Sequence, residues 1–288
     1  MVNLKTSSMK AATAFRRRLA WPLTILVALA LASLALAACG ADQTATPSPS
    51  ASSSTTLTAA EQDWLAQKGT LQVGGFSDYP PFGFVDKSGE AAGMAVDYWN
   101  LVADRLGVKV AFTPLLFADQ LEGLRQGRFD SLQGIFALPE REQWFAFSQP
   151  YYVIDTRIYV DAAHTDRTTL AALEGLKVAV VAGDSGQQLA DNAGLTTLVV
   201  KSYPAAVAAV AAGKAQAMIM DELVAEYFIA SSNAADKVKA AAGEPVARGE
   251  MTMPVRKDDA ILLSILDKGI EMVDQSELEA ISAKWMGR

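Results

Sequence analysis

The residues able to do chemistry in this chain are few, and the most informative is an arginine. Arg141 lies in residues 128–152, RFDSLQGIFALPEREQWFAFSQPYY, where an apolar strand through Leu132 and Ile135 is followed by a turn and Pro139 is placed to open a short helix. A guanidinium donates two parallel charge-assisted hydrogen bonds and stays protonated at any working pH, so it suits the grip of a carboxylate. The plainer alternative is a solvated pairing with Glu140 or Glu142. Asp221 and Glu222 form an acid pair after the run Met218-Ile219-Met220, but adjacent residues at a helix start point in different directions, which is poor geometry for joint acid and base work. His164 is the only histidine and sits in a polar stretch, so a Ser-His-acid triad or a histidine metal site has no second candidate. Cys39 is the only cysteine, which excludes an internal disulfide. From the residues alone Arg141 is either a carboxylate grip or a surface ion-pair residue, and catalysis or a histidine-based metal site is poorly supported.

The elements that must position them follow from periodicity. From Leu71 the chain alternates short β-like runs with helical ones, the pattern of α/β layers with mainly parallel sheets. Residues 71–76 (LQVGGF), 108–114 (VKVAFTP) and 130–135 are candidate strands. Between them, Val96, Trp99, Val102 and Leu106 recur at helical spacing, as do Leu121 and Leu124, and Trp99 reads as core. After residues 156–161 the pattern restarts. Residues 176–181 form a strand, GDSGQQLADN a turn into a helix, TTLVVK a strand, residues 204–212 a helix, AQAMIM a strand and DELVAEYFIA a helix. From Met251 comes MTMPVRKDD, then a helix with the apolar stripe Ile261, Leu262, Ile265, Leu266, Ile270 and Val273. Ser276 with Glu279 makes a capping-box signature for the last helix.

The first 38 residues read as an export signal: Lys5, Lys10, Arg16, Arg17 and Arg18 precede an apolar run at 19–38 that ends in small residues. An uncleaved membrane anchor is the alternative, since about 20 apolar residues can span a bilayer. Residues 36–39, Leu36-Ala37-Ala38-Cys39, resemble the lipobox of bacterial lipoproteins, which implies a diacylated Cys39 as the mature N-terminus. Residues 40–58 are rich in Ser, Thr, Pro and Ala and lack the large apolar residues of a core, so they read as a flexible tether. Residues 59–68 then form a short helix with Thr58 as N-cap and Glu61 completing a capping box. Removal of the signal takes Lys and Arg from 25 to 20 against 32 Asp and Glu. A mature chain this acidic, without basic clusters, offers no surface for nucleic acid.

Several short motifs recur in one order over the folded part: YPPF at 79–82, Gly93, Asp97 and the LGV of 106–108, Gly127 and Asp130, Pro139-Glu140-Arg141, the aromatic segment 147–152, and KWMG at 284–287. In this order and spacing the chain resembles the bacterial extracytoplasmic solute-binding proteins for amino acids and related solutes. The resemblance implies an α/β, two-lobed, periplasmic-binding-protein-like (type II) fold with a hinged cleft between the lobes. It implies lobe 1 over 59–160 and 251–288, lobe 2 over 161–250, and crossings near 158–162 and 248–253.

Carried over, the resemblance assigns Arg141 to the ligand carboxylate, with the N-terminal turn containing Ser185 and Gly186 completing the cradle, although Asp184 or Ser185 can instead be simple N-caps. Asp221 matches the acid that pairs with the α-ammonium, Tyr79 and Phe117 the aromatic walls, and Gly134 a source of backbone contacts; Phe82 either joins the walls or packs under its turn. Phe136 departs from the family, which commonly has Ser or Thr there, and losing such a hydroxyl on a charged ligand group costs on the order of 1.5–3 kcal/mol. Phe136 therefore favours an apolar or aromatic ligand, or an organic acid. The implied function is capture of a small carboxylate-bearing solute, an amino acid in first place, by a monomeric, lipid-anchored extracytoplasmic protein that delivers it to a membrane ABC permease. Residues 61–69 also resemble the version of this domain in sensor receptors, so a sensory subunit is the alternative, with a cleft enzyme such as a dehydratase third.

Overall fold

The apolar run at residues 71–76 becomes the centre of the first sheet. In the computed structural model, which describes residues 56–286, the strand Thr70–Phe76 lies between Lys109–Leu115 and Ser131–Leu132 and is parallel to both. Parallel neighbours require crossovers, supplied by the helices Met94–Leu106 and Phe117–Arg125. Trp99 and Val102 are fully buried, and the Trp99 indole N–H donates to the Gln133 carbonyl at 2.9 Å. The helix Ala260–Glu271 buries Leu262, Ile265 and Leu266 and packs its Gly269 so tightly on Val102 and Leu106 that a Cβ would lie 2.9 Å from either side chain.

Among the described residues the second sheet has seven strands. Thr196–Val200, Lys177–Val181 and Ala217–Asp221 run parallel, and the long strand Tyr152–Asp161 is antiparallel to the last of them. Both faces of this sheet are covered. Val178, Val180 and Ile219 pack on one side with Ala190 of the helix Ser185–Asn192, while Val181, Met218 and Met220 pack on the other with Val207 of the helix Tyr203–Ala211. Burial on both faces is why these strands read as continuous apolar runs rather than alternating ones. Next to Tyr152–Asp161 runs Ala247–Thr252, antiparallel, with Met251 opposite Tyr152 and Ala247 opposite Thr156, and Ile135–Phe136 closes that edge. The two sheets, joined through these long strands, make the two-lobed α/β architecture.

Residues 130–135 are not one strand. Ser131–Leu132 pairs in the first sheet and Ile135–Phe136 in the second, with Gln133 and Gly134 between them. The break has a local cause: the Gln133 carbonyl accepts from Trp99 and from the Tyr151 hydroxyl at 3.0 Å, so it is turned to side chains and away from a ladder. Residues 139–144, expected as a helix, form consecutive turns, because the chain must re-enter the strand Phe145–Phe147 opposite Pro254–Arg256 immediately afterwards. The last helix, Gln275–Met286, starts ahead of the expected Ser276 cap, and Asp274 takes that place with its N–H donating to the Glu277 carboxylate at 3.1 Å.

The helix Ala59–Lys68 has the expected capping box, and Glu61 does more than cap. Its carboxylate also accepts from Ser264 at 2.7 Å and pairs with Lys268 at 2.6 Å, fastening this helix to Ala260–Glu271. Burial pushes the Glu61 carboxyl up, but the Lys268 ammonium, Ser264 and Thr58 together bring it down to about 2. Among the described residues no helix is long and apolar enough to cross a membrane. The export signal, Cys39 and most of the tether lie outside the described residues.

Candidate functional site

Where the two sheets face each other the molecule closes on a cavity of about 10 Å³, roughly the room of one water. Tyr79, Phe117, Gly134, Phe136, Arg141 and Asp221 all line it, so residues separated by up to 142 positions meet at one point. Ser185 and Gly186 do not. Gly186 is a packing glycine at the start of its helix, since a Cβ there would lie 2.5 Å from the Ile219 carbonyl oxygen.

Arg141 is buried, at 6 % exposure, and is not a solvated partner of Glu140 or Glu142. Its guanidinium donates to the Phe136 carbonyl at 2.9 Å and, across the cleft, to the Gly183 carbonyl at 2.9 Å, and lies 5.4 Å from the centre of the Phe117 ring. The same turn geometry that replaces the expected helix carries the side chain inward. Burial lowers the guanidinium's pKa, opposed by Asp184, Glu140, Tyr203 and Asp221.

Asp221 ends the strand Ala217–Asp221, where the antiparallel register sets it opposite Thr156. The Thr156 hydroxyl donates to its Oδ1 at 2.6 Å and the Tyr79 hydroxyl donates to its Oδ2 from the opposite lobe. Burial raises the Asp221 pKa, and those two hydroxyls and Arg141 oppose the rise. Burial and the Asp221 carboxylate likewise raise the Tyr79 hydroxyl well above its ordinary value, so it stays a donor.

Phe136, the departure from the family's Ser or Thr, lines the cavity and meets Arg141 through its backbone. Its ring lies against Gly249, where a Cβ would come within 2.3 Å of it, while its carbonyl receives Arg141. Gly134 has no space for a side chain: a Cβ would be 2.5 Å from the Met251 sulfur and 2.6 Å from the Tyr151 hydroxyl. Phe82 packs under its turn against Tyr79 and Tyr152 and does not line the cavity.

Sequence reasoning missed two polar cavity residues. Asp184 was a candidate only as a cap; it does cap Ser185–Asn192, accepting the Ser185 N–H at 2.8 Å, but it also faces the cavity. Burial and the nearby Asp221 raise its carboxyl to about 7, with Arg141 opposing. The Tyr203 ring packs tilted against that of Tyr79, centre to centre 4.9 Å, and its backbone N–H donates to Asp78 at 3.2 Å. Nothing in Ser202-Tyr203-Pro204 marks it beyond a helix start. A larger concavity of about 1010 Å³ is lined by Asp155, Glu222 and Arg248 and shares only Phe136 with the small cavity. No cluster of three or more metal-ligating side chains occurs among the described residues.

The profile of the bacterial extracellular solute-binding proteins, family 3, matches residues 71–288. The chain belongs to this family. Among curated relatives, an L-cystine-binding protein of Escherichia coli K12 is 28% identical over 226 residues, covering 77% of this chain and 84% of that one. Among solved structures, an ancestral arginine-binding protein bound to arginine superposes on this solute-binding protein with a TM-score of 0.69 at 30% identity, covering 76% of this chain and 99% of that one. A histidine kinase sensor domain similar to periplasmic binding proteins gives a TM-score of 0.71 at 27% identity, covering 76% and 96%.

Proposed function

We propose that this solute-binding protein captures a small carboxylate-bearing solute, an amino acid, between its lobes and delivers it to an ABC importer without chemical turnover. One observation carries the reading: a buried guanidinium and a buried carboxylate, Arg141 and Asp221, face the same closed cavity. A zwitterion presents the complementary charges, its carboxylate to Arg141 and its ammonium to Asp221. A cavity of about 10 Å³ holds no amino acid, so the lobes part to admit one and close again on it, the usual hinge motion around a ligand. Amino-acid and cystine relatives support this assignment.

The chain is proposed to act outside the cytoplasm as a monomer, held to the membrane by acyl chains on Cys39. Mass spectrometry of membrane-extracted protein then finds a mature N-terminus at Cys39 carrying acyl chains; a soluble product cut elsewhere overturns the anchor. A second reading, a sensory subunit signalling by lobe closure, is favoured by the likeness to the histidine kinase sensor domain. An adjacent permease and ATPase gene pair supports import, an adjacent kinase gene supports sensing.

A thermal-shift screen of amino acids and small organic acids tests the binding reading, because a ligand of the folded state stabilises it by about 2.7 kcal/mol at a hundredfold excess over Kd. An amino-acid hit supports it. No shift with any carboxylate-bearing compound contradicts it.

A further inference from the structure

Ser185, expected in the cleft, lines instead a second cavity of about 630 Å³ beside the strands that join the two sheets. Small-molecule sites occupy about 300–1,000 Å³, so this cavity has the room that the closed cleft lacks. Its walls come from three places: Leu138, Pro139 and Glu140 in the turns after Ile135–Phe136, the helix Ser185–Asn192, and the joining strands through Thr156 and Gly249. On the helix, Ser185, Gln188, Leu189 and Asn192 recur at i, i+3, i+4 and i+7, so one stripe of it faces the cavity. Parting of the lobes carries the turns away from the helix, which makes the cavity complete only in the closed form.

The lining says what would fit. Leu138, Pro139 and Leu189 give it apolar wall, and the Gln188 and Asn192 amides, paired with each other at 3.0 Å, give it a polar edge. Ser185 is 5 % exposed, and its hydroxyl reaches Asp184 only at 3.5 Å, long for a hydrogen bond. Two charged side chains border the space. Arg248 is taken by Asp155, at 2.6 and 3.2 Å. Glu140 lies near Arg141, but that guanidinium is turned to the Phe136 and Gly183 carbonyls, and one Glu140 carboxylate oxygen is buried with no hydrogen-bond partner. A buried carboxylate oxygen in this state calls for a donor and resists a second anion.

We propose that this cavity is a second ligand site, taking a small molecule with an apolar body, at least one hydrogen-bond donor and no carboxylate, the reverse of the selection made in the cleft. It goes beyond the amino-acid reading and does not depend on what the cleft binds. Phe136 lines both cavities, and Thr156 lines this one while its hydroxyl holds Asp221. An occupant therefore touches the elements that meet at the closed cleft, and by binding only the closed form it favours closure.

The experiment is calorimetric titration of the full-length chain in detergent, against a detergent blank, with tryptophol, an uncharged indole that carries a hydroxyethyl group. Tryptophol should bind one to one, and Gln188→Trp, which fills the cavity from the helix, should abolish the binding. Asn192→Trp, at an exposed position on the same stripe, should do the same and decides the matter if Gln188→Trp does not fold. Indole-3-acetate, the same ring with a carboxylate, should displace tryptophol only at about tenfold or higher concentration, because a like charge beside Glu140 is disfavoured. Glu140→Gln should narrow that gap. No one-to-one binding of tryptophol, binding unchanged in both folded tryptophan variants, equal displacement by indole-3-acetate, or a gap unchanged in Glu140→Gln overturns the proposal. Neither probe is an amino acid, so each of these results leaves the amino-acid reading of the cleft where it stands.

Discussion

The two walls of the cleft are built from different chemistry. The wall carried by the first sheet is aromatic and holds one cation: Phe76 stacks on Tyr79 at 4.5 Å and on Phe117 at 6.0 Å, and Arg141 lies over Phe117. The opposite wall supplies oxygen: Asp184, Asp221 and the hydroxyl of Tyr203. Each wall alone would leave a charge in a poorly solvated place. Closure pairs them, through the Tyr79 hydroxyl on Asp221 and the Arg141 guanidinium on the Gly183 carbonyl. A solute therefore competes with contacts the protein already makes to itself, and only a solute that replaces both shifts the lobes toward a closed, liganded state.

That contrast can be broken from either side. Arg141→Ala should have the largest effect, weakening every carboxylate ligand by about 2–5 kcal/mol, upwards of about thirtyfold in Kd. Thermal shift with the screen's best ligand reads it, and an undiminished shift would remove Arg141 from the site. Asp221→Asn should cost about 1.5–3 kcal/mol for ligands carrying an ammonium group, and little for acids without one. Calorimetry on such a matched pair of ligands separates the two outcomes.

The acidic wall also makes stability depend on pH in a stated direction. The Asp184 carboxyl is raised from 3.8 to about 7 in the folded protein. Across that window the folded state holds a proton the unfolded chain has lost, so stability falls as pH rises from about 4 to about 7 and then flattens, by at most about 1.4 kcal/mol per pH unit for one proton. Asp221, also raised, acts with the same sign. Glu61 works in the other direction and lower down: its carboxyl falls from 4.5 to about 2, so its contribution is present above 4.5 and is lost as pH drops toward 2. Thermal melts from pH 3 to 8 should show a maximum near pH 4–5, and Asp184→Asn should flatten the limb above it. A melt that rises steadily to pH 8 contradicts this. The smallest effect is that of Tyr79→Phe, which removes one cross-cleft hydrogen bond and should destabilise the closed form by about 1 kcal/mol. Small-angle scattering without ligand should then show a larger radius of gyration; an unchanged radius means that this bond does not hold the lobes.

What could be read in the sequence was what local pattern decides. Continuous apolar runs such as residues 176–181 announced strands, which the structure buries on both faces, and the stripe Ile265, Leu266, Ile270 announced a packed helix. The split of residues 130–135 between two sheets was hidden because Trp99, Tyr151 and Met251, far away in sequence, enforce it. The Pro-initiated helix expected to carry Arg141 looked right locally, but the next strand leaves no length for one. Asp184 read as a cap because it is one, and its second face is visible only once Asp221 and Arg141 are brought beside it.

The central claim, that Arg141 and Asp221 hold opposite charges of one molecule, is tested most directly with three ligands and three proteins. The ligands are the amino acid found in the screen, its analogue lacking the carboxylate and its analogue lacking the ammonium; the proteins are the parent, Arg141→Ala and Asp221→Asn. Calorimetric titration should show Arg141→Ala losing affinity for the amino acid and for the acid while binding the amine as the parent does, and Asp221→Asn losing affinity for the amino acid and for the amine while binding the acid as the parent does. Equal losses for all three ligands in both variants, or none in either, would contradict the assignment.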